Sequence, residues 1–186
     1  MTHVLVLVGS LRAGSTNQQI AEAAVRHAPD GVTLDIHAGL DRLPFYNEDV
    51  DVAGSVPAEA VAFRDAIAAA DALLVITPEY NGTMPAVLKN AIDWASRPRG
   101  SAAIAGKPVA VVSVSPSPRG AQWAREDAVR ILRVAGAEPL EDSVGVATVH
   151  AAIVDGFFAD YRVEQALTEL MHSLVAAASA QYAPAA

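Results

Sequence analysis

The sequence predicts an α/β protein in which five parallel strands form a doubly wound sheet with helices on both faces. Short apolar runs alternate with helical patterns along the chain, as a series of strand–helix units requires. Residues 72–77 are apolar without alternation, which indicates a strand buried on both faces of a sheet. Polar loops follow three of the apolar runs, at the edge where parallel sheets bind ligands.

The pattern divides the chain into five predicted strands and five predicted helices. The strands are Val4–Val8, Val32–His37, Ala72–Thr77, Lys107–Val114 and a segment within Glu138–Ala147. The helices are Thr16–His27, Pro57–Ala70, Ala86–Arg97, Gln122–Ala135 and a last helix within Asp155–Ala178. Gly136 directly follows the fourth helix and predicts its end there.

The composition predicts one domain over residues 1–180, followed by a frayed tail at residues 181–186. The 186 residues contain no cysteine, which excludes disulfides, thiolate catalysis and cysteine-ligated metals. The five histidines show no close pairing in the sequence, so we expect no metal site. A formal net charge of −8 argues against nucleic-acid binding.

The chain also shows no sign of a membrane or secretory segment. No apolar run reaches the roughly 18 residues of a membrane span, so we expect no membrane partner. The first strand lacks the basic segment and the small-residue cleavage site of a secretory signal. These observations predict a soluble, cytoplasmic protein.

The loop after the first strand, Gly9 to Asn17, has the composition of an anion-binding loop. Ser15 and Gln18 have the spacing of a capping box, which marks the start of a helix. The loop therefore directs hydroxyl groups, backbone N–H groups and the guanidinium of Arg12 toward one point, which favours a phosphate. An ordinary strand–helix connection would use the same small residues, and neither a Walker motif nor Gly-x-Gly-x-x-Gly is present.

A second polar loop, residues 78–85, follows the third strand. Asn81-Gly82 predicts a turn with positive φ, and Thr83 is expected to cap the next helix. Pro85 then falls in the first helical turn, where its missing N–H has no cost. A hairpin at Asn-Gly is disfavoured because the following segment has helical spacing.

Right-handed crossovers leave two strand orders open, a Rossmann-like order and the flavodoxin-like order 2-1-3-4-5. The second order places the first and third strands side by side, which brings the two polar loops into one crevice. A phosphate seat beside backbone polar groups and the aromatic Tyr80 suits a phosphate-bearing ring cofactor. We therefore expect the flavodoxin-like order.

Two separated motifs stand in these loops, Gly9-Ser10-Leu11-Arg12-x-x-Ser15-x-Asn17 and Pro78-Glu79-Tyr80-Asn81-Gly82-x-x-Pro85-x-x-Leu88-Lys89-Asn90-Ala91-Ile92-Asp93-Trp94. Together they closely resemble the NAD(P)H-dependent FMN reductase family, which includes quinone and chromate reductases and has the flavodoxin-like fold. A third segment, Leu43-Pro44-x-Tyr46-Asn47-Glu48-Asp49, is also similar to the family and lies in a long connection over residues 38–55. The resemblance extends from the first strand through the loop after the fourth.

The resemblance implies FMN as cofactor and NAD(P)H as co-substrate. It implies that the FMN phosphate is held by Ser10, Arg12, Ser15 and Asn17, with further contacts from Thr16 and Gln18. It implies that the isoalloxazine ring is lined, largely through main-chain groups, by Pro78, Glu79, Tyr80, Asn81 and Gly82. Thr83, where the family often has serine, and Ser115 complete the expected binding residues.

One loop departs from the family pattern. Family members commonly carry a glycine-rich loop after the fourth strand, whereas this chain has Ser115-Pro116-Ser117-Pro118-Arg119-Gly120. The two prolines stiffen the backbone and remove N–H donors, so the contact of this loop with the flavin is open.

The implied reaction is hydride transfer from NAD(P)H to FMN, followed by electron delivery to a small-molecule acceptor such as a quinone, free flavin or chromate. A cofactor that carries the chemistry fits a sequence without a recognisable acid–base pair or nucleophile. Glu79 would oppose reduction of the flavin if it faced the ring, so we expect it to point away or to pair with a cation. The physiological acceptor and the choice between NADH and NADPH stay open.

The main alternative is a flavodoxin-type electron carrier, which binds FMN without a nicotinamide site. Arg12 and the long 38–55 segment argue against it. A receiver-like signalling module would need acidic residues where this chain has Gly9-Ser10 and Thr77-Pro78. A serine hydrolase would need a Gly-x-Ser-x-Gly elbow, which the sequence lacks.

The resemblance also implies a homodimer or homotetramer with active sites near the interface. Asn90, Asp93, Trp94 and Arg97 form a second face of the predicted helix 86–97. Trp94 would be costly to expose, and it fits a subunit interface or the core of the monomer equally well.

Overall fold

A computed structural model describes residues 1–154 and 157–181 of the chain. Its strands are β1 (Thr2–Val8), β2 (Val32–Ile36), β3 (Ala72–Thr77), β4 (Pro108–Val114), β5 (Glu138–Pro139), β6 (Val144–Val146), β7 (Ile153–Val154) and β8 (Phe157–Phe158). Its α-helices are α1 (Thr16–Arg26), α2 (Ala58–Ala69), α3 (Ala86–Ala95), α4 (Gln122–Val134), α5 (Val149–Ala152) and α6 (Tyr161–Gln181). Two 3₁₀ turns, Leu40–Arg42 and Glu48–Val50, lie in the long connection after β2.

The main sheet is parallel and has the order β2-β1-β3-β4-β5, with β6 also paired to β4. The predicted order 2-1-3-4-5 is therefore confirmed. Val4–Val8 pairs with residues 72–76, and β3 in turn pairs with residues 109–113 of β4. Every residue of β3 and β4 is buried, which explains why neither strand alternates apolar with polar positions.

Alternate residues of these strands point into two separate cores, one on each face of the sheet. On one face Leu5, Leu73 and Val109 pack with α2, α3 and α4. On the other face Leu74 and Val112 pack with α1 and α6. Successive side chains of a strand point to opposite faces of the sheet, so two helical layers can cover the same sheet.

The region after α4 departs from the prediction. Gly136, with φ of 95°, ends α4 as predicted. The fifth strand is split into β5 and β6 because the exposed, charged residues 141 and 142 interrupt it. Beyond it, α5 and a small β7–β8 hairpin precede the last helix.

The sequence predicts the last helix within Asp155–Ala178, whereas α6 spans Tyr161–Gln181 and so extends beyond that range; Asp155 itself lies outside the described residues. Helix α6 begins at Tyr161, where the carboxylate of Asp160 accepts a hydrogen bond from the backbone N–H of Arg162 at 3.0 Å. This contact is the local helix-start signal that the hydrophobic pattern did not reveal. Of the predicted tail, Gln181 is helical, and residues 182–186 lie outside the described part of the chain. No helix within that part is long and apolar enough to span a membrane.

The long connection after β2 is tied to α3 by buried hydrogen bonds. The Asn90 side chain accepts from the N–H of Tyr46 at 2.8 Å and donates to the carbonyl of Pro44 at 3.0 Å. The indole of Trp94 donates to the same carbonyl at 2.7 Å. Trp94 has no exposed surface, so it belongs to the core of this chain.

An ion pair joins Asp51, in the C-terminal part of this connection, to Arg64 of α2. The two guanidinium nitrogens each donate to a carboxylate oxygen at 2.8 Å, and the side chains are only 14% and 8% exposed. Arg64 also donates to the carbonyl of Trp94 and lies over its ring, 5.2 Å from the centroid. The hydrogen bonds from Arg64 hold the pKa of Asp51 below its usual value.

We predict that Arg64→Ala lowers the free energy of unfolding by about 3–5 kcal/mol, because it leaves the Asp51 carboxylate buried without its partner. Chemical denaturation measures the change. The matched control is Lys89→Ala, which removes the exposed pair of Lys89 with Asp93 and is expected to cost about 0.5 kcal/mol or less. Equal losses in the two variants would contradict a structural role for the buried pair.

Candidate functional site

Three loops meet at the carboxyl edge of the sheet. They follow the adjacent strands β1, β3 and β4 and comprise residues 9–15, 78–85 and 115–121. Val8 pairs with Ile76, and Thr77 pairs with Ser113, so the three strands end at the same level. The predicted crevice between the first two loops is therefore present, and the third loop borders it.

The first loop approaches α3 closely at Gly9. Its N–H donates to the carbonyl of Ile76 at 2.8 Å, which continues the sheet into the loop. A Cβ at this position would lie 2.5 Å from a methyl carbon of Leu88 and 3.1 Å from the ring of Pro78. Glycine is thus required here for the first and second loops to come together.

The start of α1 confirms half of the predicted capping box. The hydroxyl of Ser15 accepts from the N–H of Gln18 at 3.1 Å, as expected for an N-cap. The side chain of Gln18 does not return to the cap, because it donates to Glu22 at 3.1 Å instead. The Ser15 hydroxyl is buried and accepts the capping hydrogen bond, while its own O–H can still donate to a ligand.

The first loop contains several groups that could bind an anion. Arg12 is exposed, and its side chain makes no hydrogen bond or ion pair with any residue that the structure describes. Within the same described residues, the backbone N–H groups of Thr16 and Asn17 have no acceptor, as is usual in the first turn of a helix. Ser10 and Thr16 are half-buried beside them. The Arg12 cation, these two hydroxyls and the N-terminus of α1 are groups that together favour the binding of a phosphate.

Asn17 provides an independent indication of a ligand. Its Oδ1 is buried and has no hydrogen-bond donor among the described residues. A buried acceptor without a donor costs free energy, so such an atom commonly has a partner that the bare chain does not supply. A hydroxyl group is a suitable donor, and FMN carries a polyhydroxy chain next to its phosphate. The first loop therefore fits this end of FMN.

The second loop is a tight turn with positive φ at both central residues, 53° at Asn81 and 79° at Gly82, as predicted. Tyr80 and Thr83 exchange backbone hydrogen bonds at 2.9 and 3.2 Å. The turn is thus a hairpin of a single residue pair, which the helical spacing after it had led us to disfavour. The hairpin turn and the helix are compatible because α3 begins at Ala86, three residues after the turn ends at Thr83.

The prediction that Thr83 caps α3 is wrong. Pro85 occupies the N-cap position, and no side chain caps the helix there. The residue before a proline is driven out of the helical conformation, so Met84 cannot be the first helical residue that a cap at Thr83 would require. Thr83 instead donates its hydroxyl to Asp127 of α4 at 2.7 Å. Hydrogen bonds from Arg130 and then from Thr83 hold the pKa of Asp127 below its usual value.

Glu79 is held by the N-terminus of α4. Its Oε2 accepts from the N–H of Ala124 at 3.1 Å, and the residue is half-buried. An anion is favoured at this end of a helix by the unpaired N–H groups and the helix dipole. The partner that we expected to be a cation is therefore a helix N-terminus.

The remaining groups of the second loop can face a planar ligand. The N–H groups of Glu79, Asn81 and Gly82 have no acceptor among the described residues. Tyr80 is 52% exposed and Asn81 is exposed, whereas Pro78 is buried against the first loop. The turn thus presents main-chain donors and one aromatic ring, the groups that the resemblance assigns to a flavin ring.

In the third loop, two serine hydroxyls accept hydrogen bonds from backbone N–H groups of the same loop. The hydroxyl of Ser115 accepts from the N–H of Ser117 at 3.0 Å, and the hydroxyl of Ser117 accepts from the N–H of Arg119 at 3.3 Å. The expected ligand Ser115 therefore lies at the correct edge, but its hydroxyl already takes part in a turn. Pro116, between these serines, and Pro118, directly after Ser117, make that turn rigid.

Sequence reasoning missed Trp123, in the first turn of α4. Its side chain is 52% exposed and lies against the Asn81-Gly82 turn, where a Cβ on Gly82 would be 3.4 Å from the ring. The guanidinium of Arg119 lies over the same ring, 5.0 Å from its centroid. The signal available in the sequence was an aromatic residue directly after a loop at the ligand-binding edge.

The edge shows no metal-binding arrangement. No group of three or more His, Asp or Glu side chains that could hold a metal occurs within residues 1–154 and 157–181. Arg12 supplies positive charge to the first loop, and Glu79 is already engaged by α4. The geometry fits an anionic, planar organic cofactor.

Comparison with known proteins identifies the family of this chain. A family model described as NADPH-dependent FMN reductase matches residues 2–151. A quinone reductase from Pseudomonas putida is 50% identical over 117 residues, 63% of this chain and 62% of that protein. A 2-hydroxy-1,4-benzoquinone reductase from a Burkholderia species is 47% identical over 112 residues, 60% of each. The matched region thus spans about three fifths of these curated relatives.

A solved structure extends the similarity to nearly the whole chain. FerB, described as a flavoenzyme NAD(P)H:(acceptor) oxidoreductase from Paracoccus denitrificans, superposes with a TM-score of 0.86 at 31% identity. The superposition covers 96% of this chain and 98% of FerB. The match over residues 2–151 includes both motifs that suggested the resemblance. This chain belongs to the NADPH-dependent FMN reductase family.

Proposed function

We propose that this chain is a flavoprotein oxidoreductase that binds FMN, takes hydride from NAD(P)H and reduces a small-molecule acceptor. The observation that carries the proposal is the junction of the β1 and β3 loops. It combines four groups that have no partner among the described residues: the guanidinium of Arg12, the N–H groups at the start of α1, the Oδ1 of Asn17 and main-chain donors at the Asn81-Gly82 turn. Membership of the family supports the same reading.

The first loop is proposed to hold the phosphate end of FMN. Arg12 supplies charge, and the N–H groups of Thr16 and Asn17 supply the helix N-terminus. Ser10 is proposed to donate its hydroxyl. Ser15 accepts from the backbone N–H of Gln18, which holds the loop in shape, and the O–H of Ser15 is proposed to donate to the phosphate.

The second loop is proposed to hold the flavin ring. The residues from Pro78 to Gly82 contact it mainly through main-chain groups, and Tyr80 flanks it. Thr83 and Glu79 fasten this turn to α4, which fixes its donors in place. Ser115 is proposed to border the ring as part of a rigid turn.

When bound, FMN supplies the two-electron chemistry, so the chain has no need of its own nucleophile. The protein binds and orients the cofactor. Fixed main-chain N–H groups stabilise negative charge that develops near them. Holding the carboxylate of Glu79 on α4 keeps it from opposing that charge.

A quinone is the proposed acceptor class. The relatives that match at 47% and 50% identity are named for quinone and hydroxybenzoquinone reduction, which supports this choice. As in the sequence-based expectation, we further propose that the chain acts in the cytoplasm as a homodimer or homotetramer. Trp94 lends no support to a subunit interface, because it is fully buried within the chain.

Anaerobic titration of the FMN-loaded protein with NADPH and, separately, NADH tests the reductase proposal. We predict saturable binding followed by fast bleaching of the oxidised-flavin absorbance with at least one nucleotide. Tight FMN binding without bleaching by either nucleotide would contradict the proposal and favour an electron carrier of the flavodoxin type.

We predict that Arg12→Ala weakens FMN binding by about 1.5–3 kcal/mol, because it removes a charge-assisted contact to the phosphate. The dissociation constant, measured by calorimetry or flavin fluorescence, should rise roughly tenfold to hundredfold. Arg162→Ala serves as control, because that exposed arginine pairs with Asp160 at the start of α6. An equal dissociation constant for Arg12→Ala and the wild type would show that Arg12 does not contact the phosphate.

A further inference from the structure

The third loop and α4 create a surface that the flavin site does not explain. Arg119 and Trp123 lie side by side, and both are exposed next to the Asn81-Gly82 turn. A half-exposed tryptophan is costly in water, and a guanidinium stacked on its face is a favourable cation–π pair. We call this pair the Arg119–Trp123 shelf.

The guanidinium of the shelf makes no hydrogen bond or ion pair with any residue that the structure describes. It lies over the ring of Trp123, so its N–H donors are available to a ligand. The acidic groups on α4 and the second loop have other partners. Glu79 accepts from Ala124, Glu126 accepts from Gln122, and Asp127 accepts from Thr83 and Arg130.

The shelf is also held in position. The backbone N–H of Arg119 donates to the Ser117 hydroxyl, and the carbonyl of Ser117 accepts from Gly120 and Thr148. Pro118 fixes the backbone between them. The departure from the glycine-rich loop of the family thus has a physical effect in this chain, because it presents Arg119 on a stiff turn.

We propose that the Arg119–Trp123 shelf binds a planar, negatively charged acceptor, such as a quinone with a sulfonate, carboxylate or ionised hydroxyl group. The inference rests on the proposed function, because it assumes that the acceptor is reduced beside the second loop. Stacking on the indole or guanidinium plane selects a flat ring, and the free N–H donors of Arg119 select a negative substituent. A neutral quinone gains only the stacking.

Steady-state kinetics of the FMN-loaded protein test the selectivity of the shelf. The acceptors are 1,4-naphthoquinone-2-sulfonate and the neutral 2-methyl-1,4-naphthoquinone. We predict that Arg119→Gln lowers the ratio of their kcat/KM values, anionic to neutral, by about tenfold, because one charge-assisted contact is lost. Arg119→Lys should recover part of the ratio. The control Arg162→Gln alters an exposed arginine on α6 and should keep the wild-type ratio.

A binding measurement without turnover gives a second readout. The chain has two tryptophans, and Trp94 is buried whereas Trp123 is half-exposed. We predict that the sulfonate quenches the tryptophan fluorescence of the purified chain, and that Trp123→Phe removes most of this quenching. Arg119→Gln should require about tenfold more sulfonate for half-maximal quenching.

The outcomes separate the two proposals. An Arg119→Gln variant with the wild-type ratio and the wild-type quenching curve would overturn the shelf, even if NAD(P)H bleaches the flavin. Failure of bleaching in the wild type would overturn the reductase proposal, while saturable quenching that depends on Arg119 would still support the shelf as an anion site.

Discussion

The pairing of β1 with β3 is the constraint on which the site depends. Because β2 lies outside this pair, the chain crosses over and returns beside its first strand, and Val8 meets Ile76 at the carboxyl edge. Two loops that are about seventy residues apart in the sequence thus become neighbours. Gly9 makes the approach possible, since any side chain there would collide with Leu88 of α3. The β1 loop, which is proposed to bind the phosphate, and the Asn81-Gly82 turn lie together only because of this register.

The second constraint is the attachment of the β3 turn to α4. Glu79 reaches the helix N-terminus, and Thr83 reaches Asp127 one turn further along. These contacts give the Glu79 carboxylate a stabilising partner on α4, and the N–H groups of Asn81 and Gly82 keep no acceptor among the described residues. A site made of fixed N–H groups suits a cofactor whose charge changes during the reaction, since the donors need no reorganisation.

Local signals predicted much of the framework. The apolar run 72–77 predicted β3 at its observed bounds. Ser15 caps α1 and Asn81-Gly82 forms a turn, both as predicted. These three features could be predicted because each is determined by a few adjacent residues. The predictions fail where residues far away in the sequence determine the local structure. Thr83 bonds to α4 rather than capping α3, and Trp123 gains its place from packing on Gly82. The start of α6 depends on Asp160, whose capping role a hydrophobic pattern cannot reveal. The edge of the site could thus be located from the sequence, but its connections to α4 could not.

The central claim is that the β1 loop recognises the phosphate of FMN. Calorimetric titration of the purified chain with FMN and with riboflavin, which lacks the phosphate, tests it most directly. The account predicts binding of one FMN per chain, with riboflavin at least about a hundredfold weaker, because the contacts with Arg12 and the start of α1 are lost. Equal affinity for FMN and riboflavin, or binding of neither, would contradict the claim.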